Sequence, residues 1–466
     1  MIQVIGRCGG ADETVFMTPD LVRSYAKPVP RYTSYPTAPH FHAGIGAAQA
    51  SRWLDALPAA SRLSLYFHVP FCRSLCWFCG CHTTITHRAD RIEKYLGLLH
   101  AEIALVAKHL GGGRKVAHIH LGGGSPSLLA PDDLRRLAAA LHREFAVAAD
   151  AEIAIEIDPR NIDAARAAAL AEIGVNRASL GVQDFDPAVQ RAVNRVQPLE
   201  LTAEVVGLLR GHGIGRINLD LMYGLPLQTM ASFAETVELA LALAPDRIAL
   251  FGYAHVPWMK KHQALIDQAA LPDGWRRWCQ ARAAERRLRQ AGFVAIGLDH
   301  YARPADALAR AAAAGTLRRN FQGYTADPAD ALIGFGASAI GALPQGYLQN
   351  ESDLRAYAEA IGGGRLATAR GLALTTEDRL RGAVIERLMT AMHADVGALC
   401  RAHGFTESHL DDAFAAVDVL AAHGIAERQG RLVAILPEAR LLMRTVAACF
   451  DAYLAPTAQP RHAQAV

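Results

Sequence analysis

Seven short apolar runs separated by helical stretches constrain this chain more than any other feature. They lie at Leu63–Val69, Val116–Leu121, Ala151–Ile157, Arg177–Gln183, Arg216–Met222, Arg247–Tyr253 and Phe293–Leu298. Runs of that length read as buried strands. Strand and helix in alternation predict a parallel sheet with crossover helices. Such a fold gathers its site at the C-terminal ends of the strands. The candidate site residues sit there: Cys72, Gly122, Glu156, Gln183, Asp220 and Ala254 each fall at or just past a strand end.

The first run leads into Cys72-Arg73-Ser74-Leu75-Cys76-Trp77-Phe78-Cys79-Gly80-Cys81. The first three cysteines have the spacing C-x3-C-x2-C. Three thiolates on one loop leave one corner of a four-iron cluster open, and an open iron binds and activates a small molecule. Zinc would use paired C-x2-C knuckles, whereas Cys8, Cys279, Cys400 and Cys449 are scattered singly. A disulfide framework suits a secreted chain, and we find neither a signal-peptide pattern nor an apolar run of membrane-spanning length. Ferredoxins supply four ligands per cluster at other spacings. On the cysteines alone the open-corner cluster stands first and zinc second. One βα unit later the Val116–Leu121 run enters Gly122-Gly123-Gly124-Ser125-Pro126. Glycines at a strand end let the backbone approach a ligand closely.

At 466 residues the chain exceeds one ordinary core, so a large domain and a smaller one are expected. A net charge of +3 is too small for nucleic-acid binding to be the main activity. Arginine far outnumbers lysine, and arginine suits bidentate carboxylate recognition, although most of these arginines read as solvated helix faces.

The sequence resembles the radical S-adenosylmethionine enzymes, and within them the oxygen-independent coproporphyrinogen III oxidases of haem synthesis. The segments that carry the resemblance are Pro30–Thr37, Leu65–Cys72, the cysteine loop with its extra Cys81, Gly122–Pro126, Ile155–Pro159, Gly181–Phe185, Asn218–Pro226, Asp299–Pro304, Arg319–Tyr324 and Cys449–Leu454. It implies a partial barrel of (β/α)6 type, a curved open sheet, with a small helical, winged C-terminal lid. It also implies that Cys72, Cys76 and Cys79 bind a [4Fe–4S] cluster whose open iron chelates S-adenosylmethionine, and that Cys81 is no ligand. One-electron cleavage would yield a 5′-deoxyadenosyl radical that abstracts hydrogen from a propionate of coproporphyrinogen III. Two propionates would become vinyl groups, giving protoporphyrinogen IX. By position in the matching segments, Tyr66, Gly123, Glu156 and Ile340 would contact the first S-adenosylmethionine. Phe78, Gly124, Ser125, Gln183, Arg195, Asp220 and Ala254 would hold a second molecule. His68, Phe321 and Gln322 lie in segments tied to activity. A reduced flavodoxin- or ferredoxin-type donor, a monomeric state and a cytoplasmic location are expected, with no nucleic-acid or membrane partner. Leu121, Ser125 and Gly252 depart from the family's tryptophan, threonine and asparagine.

Other residues have plainer readings. Asp184 and Asp186 read as a helix cap or buried hydrogen-bond acceptors. Glu156 and Asp220 lie in apolar strands, where an unpartnered carboxylate is costly, so each should meet a ligand or an arginine. His118 and His120 share a strand face, and core or helix packing is preferred to a metal pair. Thr18 and Pro19 mark a helix start, and Met17 reads as the natural initiator; an intact native mass that includes Met1 would refute this. The expected units are an extension over 1–60, the barrel over 61–370, the lid over 371–455 and a disordered tail over 456–466. Gly424–Ile435 reads as a hairpin turning at Gln429-Gly430, and a last helix is expected over Pro437–Leu454. The winged pattern invites a DNA-binding reading, which the mixed charges of the segment disfavour.

Overall fold

The computed structural model describes residues 17–454. Its centre is a 12-stranded sheet. In chain order the strands are β1 (Leu63–Val69), β2 (Arg114–Gly123), β3 (Phe145–Ile157), β4 (Arg177–Gln183), β5 (Arg216–Tyr223), β6 (Arg247–Gly252), β7 (Val294–Ile296), β8 (His300–Ala302), β9 (Ala331–Phe335), β10 (Ile340–Leu343), β11 (Gly346–Asn350) and β12 (Thr368–Ala373). The spatial order is β12-β11-β10-β9-β1-β2-β3-β4-β5-β6-β8-β7. Strands β1 to β6 are parallel neighbours in sequence order, so each connection between them is a crossover. The sheet is an open partial barrel, with helices in the connections between its parallel strands.

The seventh run departs from expectation. Phe293–Leu298 is not a further parallel strand; its centre forms the short edge strand β7, antiparallel to β8, which is antiparallel to β6. On the opposite flank β9 pairs in parallel with β1, aligning Tyr66 with Gly334, and β10 to β12 extend the sheet antiparallel.

The crossover helices bury one face each. Helix Ala89–Leu110 buries Tyr95, Leu96, Leu99, Ile103, Val106, Ala107 and Leu110, the i, i+3, i+4 spacing of an amphipathic stripe. Truncating Leu99 to alanine there would cost about 3 kcal/mol. Helix Pro19–Tyr25 begins as expected, with Thr18 Oγ1 accepting from the Leu21 amide.

Beyond β12 the chain forms helices Thr376–Ala391, Val396–Ala402 and Phe414–Ala422 and a small three-stranded sheet. Its hairpin, Ala426–Gln429 with Leu432–Ile435, turns at Gly430-Arg431, one residue later than expected. The expected last helix is shorter: a 3-10 turn at Pro437–Leu442 precedes helix Met443–Ala448. The apolar side chains of this region join the barrel's core in one continuous cluster. The early segment is tied to the same region. Tyr32 Oη donates to Asp451 at 3.0 Å, Tyr35 Oη accepts from the Ala452 amide at 3.0 Å, and Arg444 donates to the Val29 carbonyl at 3.2 Å. The residues before Met17 and the whole expected tail over 456–466 lie outside the described residues. No described helix is long and apolar enough to cross a membrane.

Candidate active site

The cysteine loop leaves the C-terminal end of β1 and folds over the ends of β2 to β5. Cys72, Cys76, Cys79 and Cys81 line one cavity of about 160 Å³ together with Gly123, Gly124, Glu156, Asp158, Arg160, Ser179, Gln183, Arg195 and Asp220. The donor set suits a cluster held by thiolates. Arg160 Nη2 and Arg195 Nη1 each reach the Cys76 sulfur at 3.5 Å, and the Thr83 hydroxyl donates to the Cys72 sulfur at 3.1 Å. Such donors stabilise negative sulfur. Burial pushes the Cys72 thiol up to about 11, so this sulfur needs a metal to ionise at neutral pH. A hydrogen bond from the Cys81 thiol holds Cys79 below the usual thiol range. Among the described residues, no three His, Cys, Asp or Glu side chains converge as a single-ion site requires.

The glycine run forms the cavity's backbone wall. Gly123 has φ +115°, and a Cβ there would lie 2.7 Å from the His68 ring; at Gly124 it would lie 2.7 Å from the Phe71 carbonyl oxygen. The Gly123 amide donates to Glu156 Oε2 at 3.0 Å, and His120 Nε2 lies 3.2 Å from Oε1. Burial raises the Glu156 carboxyl, but His120 and the Gly123 amide outweigh it and hold the group below the usual carboxylate range. Tyr66 Oη donates to His68 Nδ1 at 3.0 Å, and His68 Nε2–H donates to the His82 carbonyl at 2.9 Å. Burial lowers the His68 pKa, which keeps this ring neutral. Asp220 accepts from Asn218 Nδ2 at 2.7 Å and Ser179 Oγ at 3.1 Å; burial, then the charge of Glu156, push it up to about 6. Of the two expected alternatives, a ligand or an arginine, neither carboxylate meets an arginine among the described residues; a histidine and neutral donors hold them.

A second cavity of about 630 Å³ fills the barrel interior. It shares Cys81, Glu156, Ser179 and Asp220 with the cysteine-lined cavity. Gln322, His118 and His120 also line it. The two histidines face this space rather than packing against a helix: His118 approaches Ser64 at 3.3 Å and Glu152 at 3.5 Å.

The other expected site residues are dispersed. Phe78 packs on the small cluster of Val189, Val193 and Tyr253 while lining the cysteine cavity. Ser125 is buried against Ser127, at 2.9 Å between hydroxyls. Gln183 holds φ +71° at a register shift in β4, and Arg195 donates to the Gly181 carbonyl at 2.6 Å. Ile340 begins β10, two strands from Tyr66, and does not line either cavity. Phe321 lines a separate cleft with Tyr347, and Ala254 lines a small arginine-rich chamber. Asp186 caps helix Pro187–Ala192, and Asp184 accepts from Thr236 at 2.9 Å, both as expected. Sequence reasoning missed Asp158, Arg160 and Ser179. The Asp-Pro-Arg cap at 158–160, directly after β3, was the available signal for the first two.

Residues 66–240 match the radical SAM superfamily model. The oxygen-independent coproporphyrinogen III oxidase of Bradyrhizobium diazoefficiens is 53% identical, covering 97% of this chain and 100% of its own. The enzyme of that name from Paracoccus denitrificans is 45% identical over 91% and 94%. The solved coproporphyrinogen III oxidase HemN of Escherichia coli, a radical SAM enzyme, superposes with a TM-score of 0.87 at 38% identity, covering 91% of this chain and 98% of that one. Likeness of this extent, end to end in both partners, means that the chain belongs to the oxygen-independent coproporphyrinogen III oxidases of the radical SAM superfamily.

Proposed function

We propose that this protein converts coproporphyrinogen III to protoporphyrinogen IX in haem synthesis. The observation that carries the reading is a cysteine-lined cavity lying against a large barrel cavity, with Cys81, Glu156, Ser179 and Asp220 lining both. A volume of about 630 Å³ is in the range that encloses sizeable ligands. Each of two propionates would lose one hydrogen atom, CO2 and one further electron to become a vinyl group. Two S-adenosylmethionine molecules would be consumed, giving methionine and 5′-deoxyadenosine.

Cys72, Cys76 and Cys79 would hold the cluster, with Arg160, Arg195 and Thr83 stabilising their sulfurs. Bound there, the cluster and S-adenosylmethionine supply the electron and the hydrogen-abstracting adenosyl group. The Gly123 and Gly124 backbone lets a ligand approach without a side chain between. Glu156, oriented by His120 and the Gly123 amide, presents its carboxylate to ribose hydroxyls or an ammonium group. Tyr66 and neutral His68 brace that wall. Gln183, Arg195, Asp220 and Phe78 lie where a second S-adenosylmethionine would sit. Cys81 stays off the cluster and forms part of the wall between the cavities. A cytoplasmic monomer served by a flavodoxin- or ferredoxin-type donor completes this reading.

The test is anaerobic. The reconstituted enzyme is given reductant, S-adenosylmethionine and coproporphyrinogen III, and tetrapyrroles and methionine are identified by chromatography and mass. Protoporphyrinogen IX with about two methionines per product supports the reading. Cleavage of S-adenosylmethionine without decarboxylation would replace it with a role in haem handling.

A further inference from the structure

The stretch between β6 and helix Gly274–Gln290 crosses to the cysteine loop and is fastened onto it. Lys260 Nζ donates to the Cys81 carbonyl at 2.9 Å, His262 Nε2–H to the Cys79 carbonyl at 2.8 Å and Gln263 Nε2 to the Phe78 carbonyl at 3.0 Å. A second segment is tied to the same loop. The Trp77 amide donates to the Val193 carbonyl at 2.9 Å, and Asn194 Nδ2 donates to the Leu75 carbonyl at 2.8 Å. A third joins through the Leu227 amide, which donates to the Ala270 carbonyl at 2.9 Å. Val193, Leu225 and Ile266 share one small apolar cluster, on which Trp77 and Phe78 pack.

The stretch after β6 inverts the ordinary pattern. Lys260, His262 and Gln263 turn in to the loop's carbonyls, while Trp258, Met259 and Leu265 stand 56%, 60% and 59% exposed. Ten large apolar side chains are exposed among the described residues, and six lie on the segments that meet here: these three with Val196, Leu227 and Met230. Scattered singly they would need no explanation; gathered around one loop they mark a contact surface. None of the six lines the cysteine cavity or the barrel cavity, so a ligand in either leaves them uncovered. The surrounding charge leans one way. Over 72–81, 187–197, 225–230 and 254–276 the exposed or half-buried charges are Arg73, Arg191, Lys260, Lys261 and Arg276 against Asp267 and Asp273. That excess of three equals the net charge of the whole chain. Both carboxylates also accept from backbone amides, those of Ala269 and Arg276. An apolar centre in a basic rim fits an acidic partner protein.

The position of the surface selects the partner. It is hydrogen-bonded to the carbonyls of the loop that carries Cys72, Cys76 and Cys79, including that of Cys79 itself. We propose that the surface around Trp258, Met259 and Leu265 docks an acidic one-electron carrier protein of the flavodoxin or ferredoxin class, which delivers its electron across the cysteine loop. This rests on the cluster assignment within the function proposed above. One electron moves per encounter. A flavin hydroquinone anion becomes the neutral semiquinone, or a reduced iron–sulfur centre becomes oxidised; the cluster held by the three cysteines gains that electron, and no proton is transferred.

Purified flavodoxin and ferredoxin are the probes, and dithionite is the small reductant that needs no docking. Equilibrium binding of each oxidised carrier to the full-length reconstituted protein is measured first, then anaerobic reduction of the cluster followed by its absorbance. Trp258→Ser and Lys261→Glu change exposed side chains outside both cavities, so S-adenosylmethionine affinity and dithionite-driven turnover stay at the wild-type level. Each variant should bind the carriers about 10-fold more weakly and be reduced by them correspondingly more slowly. The deficit of Lys261→Glu should shrink in concentrated salt. Unchanged carrier binding and reduction in both variants overturns the proposal. So does a wild type that dithionite reduces but that neither carrier binds nor reduces. Self-association of the wild type that both variants lose, with carrier binding unchanged, assigns the surface to a second copy of the chain and overturns it too. Carrier binding and reduction that the variants weaken, without protoporphyrinogen IX even under dithionite, would overturn the functional reading and uphold the docking surface.

Discussion

Glu152 and Glu156 lie four residues apart on β3, on one face, and both line the barrel cavity. Their surroundings differ by kind. Glu152 meets Arg177 Nε at 3.0 Å, His118 at 3.5 Å and Arg216 at 3.6 Å. Asp306 completes that end, taking Arg247 at 2.7 Å and Arg177 at 3.2 Å. Burial raises Glu152, but His118 and the arginines hold it far below the usual range. Toward the C-terminal ends of the same strands, Glu156 has a histidine and an amide, and Asp220 has two neutral donors. A buried carboxylate matched by guanidinium groups is a brace. One given neutral donors keeps capacity for a ligand.

The contrast breaks most sharply at the cysteine loop. Cys76→Ser should abolish cluster incorporation and all S-adenosylmethionine cleavage, whereas Cys81→Ser should keep its iron; iron and sulfide analysis after reconstitution checks both, and equal iron loss in the two would refute the ligand assignment. At the opposite end, Asp306→Ala leaves Arg177 and Arg247 without their shared partner. It should cost about 3–5 kcal/mol of stability, read by denaturant unfolding. Glu156→Gln should do the reverse: S-adenosylmethionine binding about 10- to 100-fold weaker with the unfolding midpoint nearly unmoved. Asp220→Asn sharpens the point through pH. The folded-state value of about 6 lies above the ordinary value of about 3.9. The wild type therefore carries no penalty below about pH 4, where both states are protonated, and loses stability as pH rises toward 6. The variant should be more stable by roughly 1–3 kcal/mol above pH 6 and equal below pH 4. Melting curves across that range, without S-adenosylmethionine, decide it, and a pH-independent difference would remove the assigned cause.

The parallel half of the fold was legible because each strand is a continuous apolar run bounded by turns; β1 and β4 have the expected limits. The antiparallel flank from β9 to β12 was not. Its strands are four to six residues long, with glycine in every one, and their partners follow by hairpins that apolar periodicity does not mark. Site residues on the strand ends were legible for the same reason: Glu156 and Asp220 interrupt apolar runs. Arg160 and the chamber arginines were not, because an arginine in a loop or on a helix reads as solvated until tertiary packing encloses it. Arg31, Arg277, Arg319 and Arg444 come from four distant segments.

The contacts between the early segment and the last turns bear on how the protein is made. Tyr32 and Asp451 are 419 residues apart, and Val29 and Arg444 are 415 apart. The barrel strands pair in the order of synthesis, so β1 to β6 can assemble while the ribosome is still translating. The Val29–Tyr35 stretch meets Arg319 and Tyr347 only after the parallel strands are made, and its remaining partners come last. Its contacts to Arg444, Asp451 and Ala452 wait until that segment leaves the exit tunnel, and pairings of such sequence separation are slow to close. The barrel is thus closed by Val29–Tyr35 and Arg444–Ala452 together, as a late step of folding.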